Sequence, residues 1–198
     1  MLTLALDTAT ALLSIAVGQN GAVLALETSA ERRGQSEDLL PMVQKVCATA
    51  GVDLEAVGRI VAITGPGSFT GLRIGLAAAK GLAFGLNIPL IGISAFRAAQ
   101  FAVPEATGVV LESWRDELYV QFGQAEPEML TAAEIAQRLQ PTTILTGDAA
   151  AKVVGAQVRP MPPLAIAALG MANEAAQNPE PIAPYYVRPP DISQPKAK

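Results

Sequence analysis

The sequence predicts an α/β fold of two lobes, the first rich in strands and the second a shortened echo of it. Three observations carry this expectation. Over residues 1–103 the predicted elements run strand, strand, strand, helix, strand, helix, strand, an order in which later strands return through helices. From Gly108 the strand pattern restarts with pieces missing. A hydrophobic content of 51% with 16% charged residues over 198 residues is enough to bury a sizeable core. The expected boundaries are a first lobe over 1–103, a shortened second lobe over 104–180, and a proline-rich tail over 181–198.

The first strand is the short apolar run 2–6, ending in the polar turn Asp7-Thr8-Ala9-Thr10, whose side chains can bond their own backbone. A second strand spans 12–17. Asn20-Gly21 is the two-residue signal for a tight hairpin, so 14–18 and 22–26 should pair antiparallel. Ser36-Glu37-Asp38 opens a helix with acids near the positive end of its dipole, and Gly51 stops it. Pro41 must lie in an early turn of that helix or kink it. Residues 59–64 form a buried strand that runs into Gly65-Pro66-Gly67-Ser68-Phe69-Thr70-Gly71, from which a helix continues over 72–85. A strand over 88–93 follows. In the second half the expected elements are strands 109–112 and 118–122 around a turn at Arg115-Asp116, a helix 132–139, a strand 143–146 and a helix 163–177. The segment 177–198 carries six prolines and should be extended and partly mobile.

The turn from Gly65 to Gly71 is the strongest local feature, because glycines and hydroxyls at a helix N-terminus present N–H groups to an anion. Gly65, Gly67 and Ser68, with Asp7, Thr8 and Thr10 at the end of the first strand, are candidate phosphate contacts. It is not a Walker A loop, since Gly71-Leu72-Arg73 closes it where Gly-Lys-Ser/Thr is required. The alternative is architectural: a tight strand-to-helix connection capped by Ser68 or Thr70, with Asp7 capping its own turn. Glu112, Asp116 and Glu117 are either acids in a cleft or a solvated turn. The helix 72–85 has hardly any polar face beyond Arg73 and Lys80, so it must be covered on more than one side. With the neighbouring helix 36–50 it forms either a partner interface or a fully satisfied internal core.

Composition removes several chemistries. With no histidine there is no Ser-His-Asp or Cys-His machinery and no His-ligated metal. A lone Cys47 makes neither an intramolecular disulfide nor a thiolate cluster, and fits a reducing compartment. The net charge of −4 argues against autonomous binding to nucleic acid. The mean hydropathy is +0.33, yet the longest uncharged apolar stretch, 81–96, carries Asn87 and Pro89 and reads as helix, turn and strand rather than a membrane span. The N-terminus lacks a basic segment ahead of an apolar one, so a cytoplasmic protein is expected.

Leu4 to Thr10, Ser36-Glu37 with Leu40-Pro41, the run Gly65 to Gly75, and Pro184-Tyr185-Tyr186-Val187-Arg188 together resemble the TsaB (YeaZ) family. Members are bacterial accessory proteins in making threonylcarbamoyladenosine in tRNA, beside the anticodon. The resemblance implies an actin-like, hexokinase-like ATPase (ASKHA) fold, with two lobes of mixed sheet flanked by helices and the second lobe shortened. It implies a non-catalytic relative of the enzyme TsaD, whose His-x-x-x-His metal site a chain without histidine cannot contain. It also implies that the two first-lobe helices pair with TsaD, or with a second copy as a homodimer. The candidate interface residues are then Leu39, Leu40, Val43, Val46 and Cys47 on one helix and Leu72, Arg73, Gly75, Leu76, Ala79 and Lys80 on the other. The implied role is a scaffold that supports TsaD and helps recruit the ATPase TsaE, touching tRNA only through the complex. No intrinsic cofactor or metal is implied, and ATP or ADP with Mg would bind only within the assembly. The family's His ahead of the Ser-Glu pair is Gln35 here, and its Asp-Ala-Arg in the second-lobe hairpin is Glu112-Ser113-Trp114. The alternative is a small actin-fold ATPase or phosphotransferase using Asp7 and the 65–71 turn.

Overall fold

The computed structural model describes residues 1–30 and 35–187, with the side chains of Gln35 and Ser36 left aside. The first lobe holds β1 (Leu2–Asp7), β2 (Leu13–Gln19), β3 (Ala22–Ser29), α1 (Gln35–Ala50), β4 (Arg59–Ile63), α2 (Phe69–Leu86), β5 (Leu90–Ile93) and α3 (Ala95–Ala102). Its sheet runs β3-β2-β1-β4-β5. β1 and β2 pair antiparallel, as do β2 and β3 through the Asn20-Gly21 turn, whose positive φ values of 52° and 89° suit those two residues. β1, β4 and β5 run parallel because α2 carries the chain back between the last two.

The second lobe holds β6 (Gly108–Leu111), β7 (Glu117–Phe122), β8 (Glu128–Thr131), α4 (Ala132–Gln137), β9 (Ile144–Thr146), β10 (Gln157–Val158) and α5 (Leu164–Gln177). Its sheet runs β10-β9-β6-β7-β8, with β6, β7 and β8 antiparallel and β6, β9 and β10 parallel. This is the first lobe's topology repeated. The equivalents of the outer helices have shrunk: α1, of 16 residues, corresponds to α4, of 6, and α2, of 18, to a single 3-10 turn at Ala150–Lys152.

Three apolar cores follow from this layering. α1 and α2 cover the outer face of the first sheet, burying Leu4, Leu6, Ile15 and Ile60 against Leu39, Val43, Val46 and Leu76. α3 and α5 lie between the lobes. α5 packs on β1, β2 and β4 of the first sheet, and α3 reaches β6 of the second. Their contact faces are largely alanine, with Ala95, Ala98, Ala99, Ala165, Ala168 and Ala172 all buried, so helices and sheets approach closely. A smaller core under α4 and the 3-10 turn contains Val110, Leu118, Ile135 and Leu145.

The structure departs from the sequence expectation in several places. The apolar run ending at Phe96 continues into α3, which Ser94 caps by accepting the Arg97 N–H at 3.3 Å. α2 begins three residues before the expected start because the cap is Ser68, while α1 runs to Ala50 with Pro41 in its second turn, as expected. β8 and β10 were not expected. The described part of the tail folds back along β5: Glu180 bridges Gly92, its carboxylate accepts from Ser94 N at 2.6 Å and from Arg97 at 2.8 Å, and Tyr185 N donates to Thr64 O at 2.8 Å. Residues 188–198 of the expected tail lie outside the described residues.

Candidate functional site

The parallel strands β1 and β4 deliver their carboxyl ends, Asp7 and Thr64-Gly65, to the cleft between the lobes, where an α/β sheet ordinarily places a ligand. The sequence-predicted residues do meet there. What they meet is one another. Ser68 N donates to Ala9 O at 2.8 Å, and the Thr8 hydroxyl donates to Gly71 O at 2.8 Å. A Cβ on Gly67 would overlap the Ala9 carbonyl oxygen, and one on Gly71 would overlap that of Thr8. The glycines serve to let two backbone turns touch. Ser68 caps α2 by accepting the Gly71 N–H at 3.1 Å.

Asp7 is fully buried. Its Oδ1 accepts from Ala9 N at 2.8 Å and Thr10 N at 3.3 Å, and its Oδ2 accepts from the Thr10 hydroxyl. Burial pushes its pKa up to about 6, against the pull of those hydrogen bonds and with a further push from the charge of Asp148. Across the cleft Glu112 plays the equivalent part at the end of β6, accepting from Trp114 N at 2.9 Å and pairing with Lys152. Burial pushes Glu112 up, but Lys152 and the turn amides outweigh it and hold the carboxyl below its ordinary value.

The residue that sequence reasoning missed is Asp148. It follows β9 in Thr146-Gly147-Asp148, a repeat of Thr64-Gly65-Pro66 after β4, with Gly65 and Gly147 both at positive φ of 104° and 119°. That repeated Thr-Gly pair was the available signal. Its Oδ2 accepts from Ala11 N at 2.7 Å and its Oδ1 from Glu112 N at 2.8 Å. Burial raises its pKa, with Glu112 adding to the rise and the two amides opposing it. A nucleotide's phosphates need free amides in these turns. The Asp7 turn directs two of its amides onto its own carboxylate, and the amides of Ala11 and Glu112 are held by Asp148. These four amides are therefore already held, and a phosphate could take them only by displacing the two carboxylates. Among the described residues no cluster of His, Cys, Asp or Glu could hold a metal.

The candidate interface residues divide sharply. Leu39, Val43, Val46, Cys47, Leu72, Gly75, Leu76 and Ala79 are buried in the chain's own cores, so they are not available to a partner, and the expectation is corrected for them. The helical spacing that marked them as apolar marked the side facing the sheet. Leu40, Arg73 and Lys80 are exposed, as the interface expectation requires. Sequence reasoning missed Phe69 and Phe84, whose side is opposite: Phe69, Arg73, Ala77, Lys80 and Phe84 recur along one exposed stripe of α2, and Phe84 is 89% exposed. The Arg73 guanidinium lies 3.8 Å over the Phe69 ring, which also meets Tyr186 of the tail at 5.7 Å between centroids. α2 is long and apolar enough to pass as a membrane span, but its other side is packed on β4.

Two five-stranded sheets of repeated topology, enclosing a cleft, define an actin-like, hexokinase-like fold of the ASKHA class, here with its second lobe shortened. The family model of TsaD, tRNA N6-adenosine threonylcarbamoyltransferase, matches residues 26–162. The chain belongs to this family, on its TsaB (YeaZ) branch. It is 43% identical over 94 residues to the tRNA threonylcarbamoyladenosine biosynthesis protein TsaB of Escherichia coli, 48% of this chain and 40% of that protein. To TsaB of Haemophilus influenzae it is 37% identical over 121 residues, 59% of this chain and 51% of that protein. The matched stretch thus spans about half the length of these relatives or less. Over nearly the whole chain, 93% of it and 99% of the other, the structure superposes on YeaZ from Pseudomonas aeruginosa with a TM-score of 0.71 at 24% identity.

Proposed function

We propose that this chain is a non-catalytic subunit of the machinery that makes threonylcarbamoyladenosine in tRNA, binding TsaD through the exposed side of α1 and α2 and helping to recruit TsaE. The observation that supports it is the pairing of turns whose polar groups bond one another at the end of β1 and β4 with an exposed apolar stripe on α2, and Leu40 of α1 at 50% exposure. A large exposed aromatic rimmed by Arg73 and Lys80 has the composition of an interface anchor. Arg73 and Lys80 give the face positive charges on a chain of net charge −4, while tRNA contact is left to the complex. Support of TsaD follows by population shift, through tighter binding of its competent state. Alone, the chain pairs with a second copy on the same face. The stripe is nearly symmetric about Ala77, so in an antiparallel α2–α2 contact Phe84 of one copy meets Phe69 and Arg73 of the other, with the small Ala77 at the crossing. A cytoplasmic location accompanies this role.

The experiment is size-exclusion chromatography with light scattering of the chain with and without its cognate TsaD, comparing Phe84→Asp and Ala77→Asp with wild type. Truncation of an interface anchor costs at least about 2 kcal/mol, roughly thirtyfold in affinity. Both variants should fold normally and lose the complex. Unchanged association would refute the α2 stripe as the interface, and no complex with wild type would remove the scaffold reading itself.

A further inference from the structure

We propose that Asp148 is an inter-lobe latch, whose single carboxylate holds the turn that follows β1 and the turn that follows β6 in one fixed relation. A carboxylate that merely caps its own loop accepts amides a few residues away. Those of Asp148 come from Ala11, 137 residues distant, at 2.7 Å and Glu112, 36 residues distant, at 2.8 Å. One donor belongs to each lobe, and each lies in the turn between the first two strands of its own sheet. The carboxylate thus bridges two structurally equivalent points. Charge-assisted bonds of this kind are about twice as strong as neutral ones.

The loop that carries Asp148 is firmly placed. Ala149 N donates to Val110 O at 3.2 Å, and a Cβ on Gly147 would overlap that same carbonyl. The first lobe has no counterpart, since Pro66 stands where Asp148 stands in the repeat. The latch is therefore asymmetric: the second lobe reaches across and the first supplies only an amide. Around it the charged groups are Asp7 on β1, Glu112 after β6, and Lys152, which is paired with Glu112. The alanine-rich layer of α3 and α5 also joins the lobes, so release of Asp148 loosens the turns while that layer stays packed.

The test uses the full chain with Asp148→Ala and Asp148→Asn, read by amide hydrogen exchange at Ala11 and Glu112. In Asp148→Ala both amides should exchange at least about tenfold faster. Protection in β1 and β4 should stay as in wild type. Sodium acetate, which restores a free carboxylate to the vacated place, should slow both amides again, whereas sodium chloride at equal ionic strength should not. Faster exchange at Glu112 alone would show a cap within the second lobe and overturn the latch, as would wild-type protection at both. If Asp148→Ala does not fold, Asp148→Asn decides by itself: its amide keeps one acceptor oxygen, so one of the two N–H groups becomes labile and the other stays protected. Retention of both in that variant rejects the proposal.

Discussion

Asp7→Asn should remove a pH dependence that the buried carboxyl imposes on stability. In the folded chain the pKa of Asp7 stands at about 6 against an ordinary 3.8, which at 1.36 kcal/mol per pH unit is about 3 kcal/mol of reluctance to ionise. The raised value means that the folded state holds the proton more tightly than the unfolded chain. Its favourable contribution is complete below pH 3.8 and is lost as pH rises through about 6. Asparagine keeps an acceptor for the Ala9 and Thr10 amides and carries no charge, so it is free of this loss. It also gives up the Oδ2 acceptor of the Thr10 hydroxyl, a cost to its stability, whereas the strengthening of that bond on ionisation is already contained in the pKa of about 6. The absolute stability of the variant is therefore a balance of similar terms, while the pH dependence of the difference is not. Urea unfolding of both proteins in steps from pH 4 to pH 8 should show the stability of the variant relative to wild type rising by about 3 kcal/mol, mostly between pH 4 and pH 6. Asp148 and Glu112 titrate in both proteins and largely cancel. A difference that stays flat with pH would refute the reasoning, because it would mean that Asp7 ionises in the fold as readily as in the unfolded chain.

Gly75→Ala tests the corrected placement of the interface residues: its Cβ would overlap the Thr8 hydroxyl, so a stability loss of about 1–3 kcal/mol is expected in urea unfolding, with TsaD association intact in the folded fraction. Lost association at unchanged stability would return Gly75 to the interface. Glu180→Gln should loosen the returning tail, weakening its hold on Ser94 N and Arg97 by about 1 kcal/mol and raising the rate of chymotryptic cutting at Tyr185 and Tyr186 about fivefold. An unchanged rate would show that the Tyr185 amide and the Tyr186 ring hold the tail without it.

Local chemistry was legible in the sequence wherever the partners were local. Asn20-Gly21 placed the hairpin, and the apolar runs placed β1 and β4. Ser68 could be named as a cap because the group it bonds is three residues away. The 65–71 turn could be located but not interpreted, since glycine permits close approach to an anion or to another backbone alike, and the neighbour that decides the matter, Ala9, lies on a different strand. α3 was hidden because alanines that pack between two sheets leave no strong contrast of polar and apolar faces beside a strand that is itself apolar. The same ambiguity misassigned α2. A helix with Leu72, Leu76, Phe69 and Phe84 around it does not announce which pair meets the sheet, and the smaller, more regular side was the buried one. The repeated Thr-Gly pair could have marked the position of Asp148, but not its role, since its two donors are far away in the chain and only the folded repeat brings them together.

The loss of α1 and α2 equivalents from the second lobe limits how many contacts the chain can form. A duplicated fold with the same helical face on both halves would have two sticky ends, and divalent subunits can link head to tail without closing. With a six-residue helix and a single 3-10 turn where the first lobe has two long helices, the repeat is left with one valence. Such a subunit terminates an assembly rather than extending it. On the proposed reading, pairing with itself and pairing with TsaD would draw on that one surface, so the concentration of each partner would set which complex forms.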